Sequence, residues 1–219
     1  MNPATPALLA IGRNYADHAA ELGAAPPRGL MLFMKNPASI IGDGAAIVIP
    51  AICREPGPQV DYEGELAVEI GRDCRNAPRA DALRFVAGYR IANDVSARWW
   101  QKEGAGGQFC RGKSFDTFCP LSGLTSAERI PNPNALQIQT RLNGELVQDA
   151  STASMIWPVD ALIAELSRGM TLRAGTIILT GTPAGVGAGR KPPRFLAAGD
   201  VVEVQISGLG TLRNPVREA

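Results

Sequence analysis

The chain has 219 residues, of which 45% are hydrophobic, enough for a sizeable core in one large domain. Its formal net charge of +1 gives no electrostatic case for nucleic acid or an anionic membrane. A single histidine, His18, excludes a two- or three-histidine zinc site within one chain, and the four cysteines have no CxxC spacing.

Those scattered cysteines suggest a reducing compartment. Residues 1–10 carry no basic n-region, and their apolar run is broken by Pro3 and Pro6. We therefore expect no signal peptide, no membrane span and a cytoplasmic protein. Glycine (24) and proline (17) punctuate short apolar runs, the pattern of a strand-rich α+β fold with long functional loops.

Residues 7–12 form a short apolar strand. Asn14 is a plausible N-cap for the short helix that follows, with Asp17 in its first turn and Gly23 at its end. His18 and Glu21 are i and i+3 on this helix, so they share a side. A histidine beside a carboxylate is either a surface pair or a general base near neutral pH. Residues 24–29 are a loop of breakers, so the helix is well placed to move. Residues 30–34 read as a buried strand, 35–39 as a turn and 46–50 as a second short strand.

Residues 61–70 alternate with period two. Leu66, Val68 and Ile70 point one way; Glu63, Glu65, Ala67 and Glu69 point the other. Glu63 and Glu65 then lie about 6–7 Å apart on one face. Two carboxylates that close repel unless a proton or a cation sits between them. A solvated face is one reading, and a hard divalent cation is the sharper one. Such a cation needs more than two oxygen ligands. Asp94 supplies a third, where the strand predicted over 84–92 opens into a loop. An all-oxygen Glu63, Glu65 and Asp94 site suits Mg²⁺, Mn²⁺ or Ca²⁺.

Arg98 and Gln101 are again i and i+3 if that stretch is helical. The Trp99-Trp100 pair is readable as core, and residues 102–108 are flexible by composition. Lys113 sits in an apolar-flanked stretch; near three carboxylates it would balance charge and orient an anionic substrate. Asn143-Gly144 between two alternating runs marks a type I′ hairpin. Pro158 and Gly169 bracket the best helix in the chain. The apolar strand over 176–180 runs into a Gly-rich loop, residues 181–187, which lacks the GKS or GKT ending of a P-loop. It is either a plain turn or a loop whose backbone N–H groups and Thr182 hydroxyl hold a carboxylate. Residues 201–206 and 210–216 close the chain as a hairpin.

Six stretches in order carry a resemblance over nearly the whole length: Gly12-Arg13-Asn14-Tyr15-Ala16-Asp17-His18, Asp61-Tyr62-Glu63-Gly64-Glu65-Leu66, Asn93-Asp94-Val95-Ser96-Ala97-Arg98, Gly112-Lys113-Ser114-Phe115-Asp116-Thr117, Asn143-Gly144-Glu145-Leu146, and Thr180-Gly181-Thr182-Pro183-Ala184-Gly185. Together they resemble the fumarylacetoacetate hydrolase family, in its compact acylpyruvate hydrolase-like branch. The resemblance implies a strand-rich mixed β-sandwich roll with short helices, a single catalytic domain over 1–219 with residues 12–29 as a lid, and a homodimer. It implies Mg²⁺ or Mn²⁺ on Glu63, Glu65 and Asp94, with Ca²⁺ able to take its place. It makes His18, Glu21 and Lys113 catalytic, and Arg13, Arg98, Gln101 and Thr182 substrate-binding.

The implied substrate is a small 2-oxo acid, with no nucleic acid or membrane partner. The implied reaction is hydrolysis of the C–C bond of an acylpyruvate, giving pyruvate and a carboxylic acid. Oxaloacetate decarboxylation, or isomerisation and decarboxylation of a 2-hydroxyhepta-2,4-diene-1,7-dioate, is the alternative on the same fold. Trp99-Trp100 and the glycines of residues 104–108 depart from the family pattern near the expected substrate tail.

Overall fold

The computed structural model describes residues 5–25 and 27–219; Pro3 of the broken apolar start and Pro26 of the breaker loop lie outside them. Strand Gly64–Ile70 sits near the middle of a six-stranded sheet. Val86–Asn93 and Ile177–Leu179 flank it antiparallel, and Leu8–Gly12 then pairs parallel with Ile177–Leu179. Thr125–Ser126 and Met31–Lys35 are the two edges. A five-stranded sheet runs in the order Glu145–Ser151, Gln137–Leu142, Val201–Ile206, Gly210–Glu218, Ile47–Ile49. Its strands Gln137–Leu142 and Val201–Ile206 lie against Gly64–Ile70. The fold is thus strand-rich with short helices, as expected. No described helix is long and apolar enough to cross a membrane.

The period-two reading holds over Gly64–Ile70, but the strand expected over 61–70 is broken at Tyr62 and Glu63, and Val60–Asp61 pairs separately with Ser96–Ala97. Leu66, Val68 and Ile70 enter a large apolar cluster shared by both sheets, with Ile138, Val202 and Val204 among its members. Ala67 faces a smaller cluster on the other side, with Leu8, Phe33 and Leu179. Gly64 is where the two sheets touch: a Cβ there would overlap the Thr140 hydroxyl and press on Val204. Glycine between Glu63 and Glu65 therefore lets the second sheet seat behind the acidic pair. We expect Gly64→Ala to lose about 1–3 kcal/mol of stability through overpacking, read as a lower denaturant midpoint.

Both predicted hairpins form. Asn143 (φ 53°) and Gly144 (φ 84°) take the two positive φ values of a type I′ turn. The best predicted helix is Val159–Ser167, with Pro158 at its N-cap and Gly169 at φ 75° just beyond its end.

Two local expectations are corrected. Residues 30–34 read as buried in the sequence; the strand Met31–Lys35 is an edge strand whose Leu32 and Met34 are 41% and 49% exposed, because only one neighbour covers it. Asn14 does not cap the helix Ala16–Glu21; Tyr15 is the N-cap residue. The Asn14 amide is buried and donates to the carbonyls of Trp157 (3.0 Å) and Thr180 (2.8 Å), while its oxygen accepts from Trp157 N–H. It ties the start of the helix to the end of strand Ile177–Leu179 instead.

Candidate active site

The register of the central strands builds the site. Gly64 pairs with Asn93, so Asp94 comes beside Glu63. Glu63 N–H donates to the Asn93 side chain, and Asp94 N–H donates to the Glu63 carbonyl. Glu65 follows on the same face. One oxygen from each of Glu63, Glu65 and Asp94 lies within 4.8 Å of the others, and all three residues are buried.

Buried cations surround this acidic group. Lys113 Nζ donates to Glu63 Oε2 (2.7 Å) and Asp94 Oδ2 (2.6 Å). Lys35 Nζ donates to Asp94 Oδ1 (2.5 Å) and to the Phe118 carbonyl. Arg98 donates through Nη1 to Glu63 Oε1 (2.6 Å), and through Nε and Nη2 to Asp61 Oδ2. Four buried carboxylates thus meet three buried cations, and the unmatched one is Glu65. Its only partner among the described residues is the Gly181 N–H, 2.7 Å from Oε2.

The electrostatics follow from that imbalance. Burial pushes the Glu65 carboxyl well above the ordinary carboxylate range, and Asp94 and Glu63 push it further. Burial also raises Glu63, but Lys113 and then Arg98 overcome it and hold that carboxyl well below the ordinary range. The donor set therefore fits a hard divalent cation: three convergent oxygens, one of them short of positive charge.

The helix Ala16–Glu21 covers this centre. His18 Nδ1 lies 2.8 Å from Glu21 Oε1, and Glu21 Oε2 accepts from Gly185 N–H at 2.9 Å. A carboxylate only accepts, so the ring donates from Nδ1, which leaves Nε2 as the nitrogen with no hydrogen bond among the described residues. His18, Glu63, Arg98, Lys113 and Thr182 line a cavity of about 90 Å³, with Arg13 and Gln101. Every residue expected to bind substrate therefore meets one space. Three of them are already engaged there, Arg98 with Glu63 and Asp61 as above. The Thr182 hydroxyl donates to the Gly64 carbonyl and accepts from Gln148, and Gln101 Oε1 accepts from Arg98 at 3.2 Å.

The Gly-rich loop does hold carboxylates, but the protein's own. Gly181 N–H donates to Glu65, Gly185 to Glu21, and Gly187 and Ala188 to the two oxygens of Asp61. Close backbone approach explains its glycines: a Cβ on Gly185 would overlap the Val147 carbonyl, and one on Gly189 would lie 2.5 Å from Glu21 Oε2.

Residues 7–217 match the sequence profile of the fumarylacetoacetate (FAA) hydrolase C-terminal domain. The chain belongs to the fumarylacetoacetate hydrolase family. Within that family it is 46% identical over 210 residues to the mitochondrial oxaloacetate tautomerase fahd2 of Xenopus laevis, covering 95% of this chain and 65% of that protein's length. It is 44% identical over 212 residues to the oxaloacetate tautomerase YisK of Bacillus subtilis, with 95% of this chain and 69% of the relative covered. Its fold matches the crystal structure of 5-carboxymethyl-2-hydroxymuconate delta-isomerase from Mycobacterium smegmatis with a TM-score of 0.84 at 38% identity, covering 99% of this chain and 80% of the other.

Several site residues of this family member escaped the sequence reading. Lys35 closes an apolar run and reads as the start of a turn; its signal is the alternation that puts Phe33 and Lys35 on the buried face. Asp61 lies two residues before Glu63 and shares its face. The tryptophan pair does not line the cavity. Trp100 packs against Phe115 and under Arg111, while Trp99 stands edge-on to it, 37% exposed. Phe33, Leu22, Lys102 and Phe109 line the cavity in their place.

Proposed function

We propose that this chain is a divalent-metal-dependent enzyme of 2-oxo acid enol chemistry, and that its reaction is keto–enol tautomerisation of a short dicarboxylic 2-oxo acid such as oxaloacetate. The observation that carries this reading is the cavity: His18 and Glu63, the one member of the acidic triad that reaches it, line the same space with Arg98 and Lys113. The names of the Xenopus and Bacillus relatives support it independently.

Glu63, Glu65 and Asp94 would hold Mg²⁺ or Mn²⁺, with Ca²⁺ able to substitute. Bound there, the cation supplies Lewis acidity that stabilises enolate charge on a 2-oxo acid. The protein's part is proton transfer and charge. His18 Nε2 takes the C3 proton, the C–H electron pair becomes the C2=C3 bond, and the C2 oxygen takes the proton from the imidazolium. Glu21 fixes the imidazole tautomer and stabilises its charged form through the 2.8 Å contact. Lys113 and Arg98 limit the negative charge that the carboxylates and an anionic substrate bring together. The lid role of residues 12–29 rests on the Glu21–Gly185 contact, which holds the helix over the cavity.

Hydrolysis of an acylpyruvate is the second reading. The same His18–Glu21 pair favours it, because an oriented imidazole also deprotonates water. The test follows loss of the oxaloacetate enol absorbance with Mg²⁺ or Mn²⁺, beside pyruvate release from acetylpyruvate, fumarylpyruvate and oxaloacetate. Enol decay without pyruvate supports tautomerisation. Pyruvate from the acylpyruvates replaces it with hydrolysis, and pyruvate from oxaloacetate alone replaces it with decarboxylation.

We also propose a homodimer. Leu32 and Met34 on the open edge strand are large apolar side chains left exposed, a surface that edge strands of monomers avoid. A monomeric sedimentation coefficient for the wild type would refute it.

A further inference from the structure

We propose that Lys102, together with Arg13, forms an anion-recognising end of the cavity that selects 2-oxo acids bearing a second carboxylate over those with an uncharged tail. The inference rests on the 2-oxo acid reading above and names the residues that choose among such acids.

The charges lining the cavity fall into two groups. Glu63, Arg98, Lys113 and His18 are all engaged in ion pairs or hydrogen bonds of the inner site. Arg13 and Lys102 line the same space, and neither has a carboxylate or hydrogen-bond partner for its side chain among the described residues. Lys102 is exposed and Arg13 half-buried, so the two free cations lie toward solvent from the buried acidic centre. Glu63 is the only carboxylate that lines the cavity, so nothing acidic there competes for them.

Two like charges beside one small space repel, and an anion that reaches both relieves the repulsion. The backbone beneath each is fixed. Lys102 N–H donates to the Trp99 carbonyl at 3.1 Å, and its own carbonyl accepts from Gly107 N–H at 2.6 Å. Arg13 holds a left-handed φ of 54°, which a non-glycine residue rarely adopts. Apolar side chains, among them Leu22, Phe33 and Phe109, line the same space. A ligand with anionic groups at both ends of a short carbon chain satisfies this distribution, and one with a methyl tail leaves both cations unpaired.

The experiment compares two 2-oxo acids of equal chain length, 2-oxoglutarate and 2-oxopentanoate, by calorimetric titration of the Mn²⁺-loaded protein. Wild type is expected to bind the diacid at least about 10-fold more tightly, the effect of one charge-assisted hydrogen bond. Lys102→Gln removes most of that ratio, Lys102→Glu reverses it, and Lys102→Arg restores it. Affinity for 2-oxopentanoate stays within about twofold in all three, and the ratio in wild type shrinks as salt rises. A ratio unchanged in Lys102→Gln and Lys102→Glu overturns the inference, as does equal affinity of wild type for both acids. Failure of wild type to bind either acid overturns the 2-oxo acid reading and this inference with it.

Discussion

Replacing Glu65 with glutamine is expected to abolish divalent-metal binding and turnover while leaving the metal-free fold at least as stable as wild type. Glu65 is the one buried carboxylate of the centre without a cationic side chain, and a neutral isostere keeps its hydrogen bond from Gly181 N–H. The sign of the pH effect follows from its raised pKa. The folded, metal-free protein holds a proton there that the unfolded chain releases, so stability is full below the ordinary carboxylate value and is lost as pH rises toward the raised one. The amide of the Glu65→Gln variant does not titrate. The metal-free mutant should therefore gain on wild type as pH increases, in thermal melts run with chelator. Excess Mn²⁺ should raise the wild-type melting temperature by roughly 5–10 °C, from about 2.7 kcal/mol at 100 times Kd and 2–4 °C per kcal/mol for a chain of this size. The mutant should show no rise. A metal-induced shift surviving in Glu65→Gln would mean that the cation sits elsewhere.

His18→Ala is expected to lower kcat by about 10²–10⁴-fold, the usual worth of a positioned acid–base group, with metal affinity unchanged. His18 touches Glu21 but makes no hydrogen bond to the acidic triad. The same Mn²⁺-dependent melts should therefore match wild type, which separates a lost proton carrier from a lost metal. Turnover within tenfold of wild type would remove His18 from the chemistry and turn attention to Lys113, a buried amine that also lines the cavity.

Much of this site was legible because it lies on regular structure. Period-two alternation sets Glu65 on the face opposite Leu66, Glu63 joins it from the residue just before the strand, and a strand end predicts where Asp94 falls. The hairpin at Asn143-Gly144 is local chemistry of two residues. Other features depend on partners remote in sequence. Lys35 reads as a surface turn because the run before it is apolar at every position. Which face is covered is decided by strand order, and that order leaves Leu32 and Met34 in the open. Asp61 carries no signal of its own until Arg98, 37 positions later, closes on it. Asn14 has the chemistry of a cap, yet three backbone groups of Trp157 and Thr180 claim its amide first. The family likeness suggested roles for His18 and Lys113 that spacing alone left open. It pointed to Trp99-Trp100 as the tail-side departure, whereas the cavity wall is built by their neighbours Lys102 and Phe109.

The loop from Gly181 to Ala188 grips Glu65, Glu21 and Asp61 with main-chain donors. Such donors are encoded by the path of the chain rather than by any side chain. A single-codon change on the loop leaves them intact unless it adds bulk where the path is tight, whereas a deletion would unhook all three acids together. The far wall has the opposite genetics: Lys102 and Phe109 are ordinary side chains, each replaceable in one step without disturbing the acidic centre. In a scaffold divided this way, descendants inherit the reaction as a block and alter their choice of substrate piecemeal. Selection for a new acid should therefore collect its first mutations between positions 99 and 109, with residues 181–188 retaining their length.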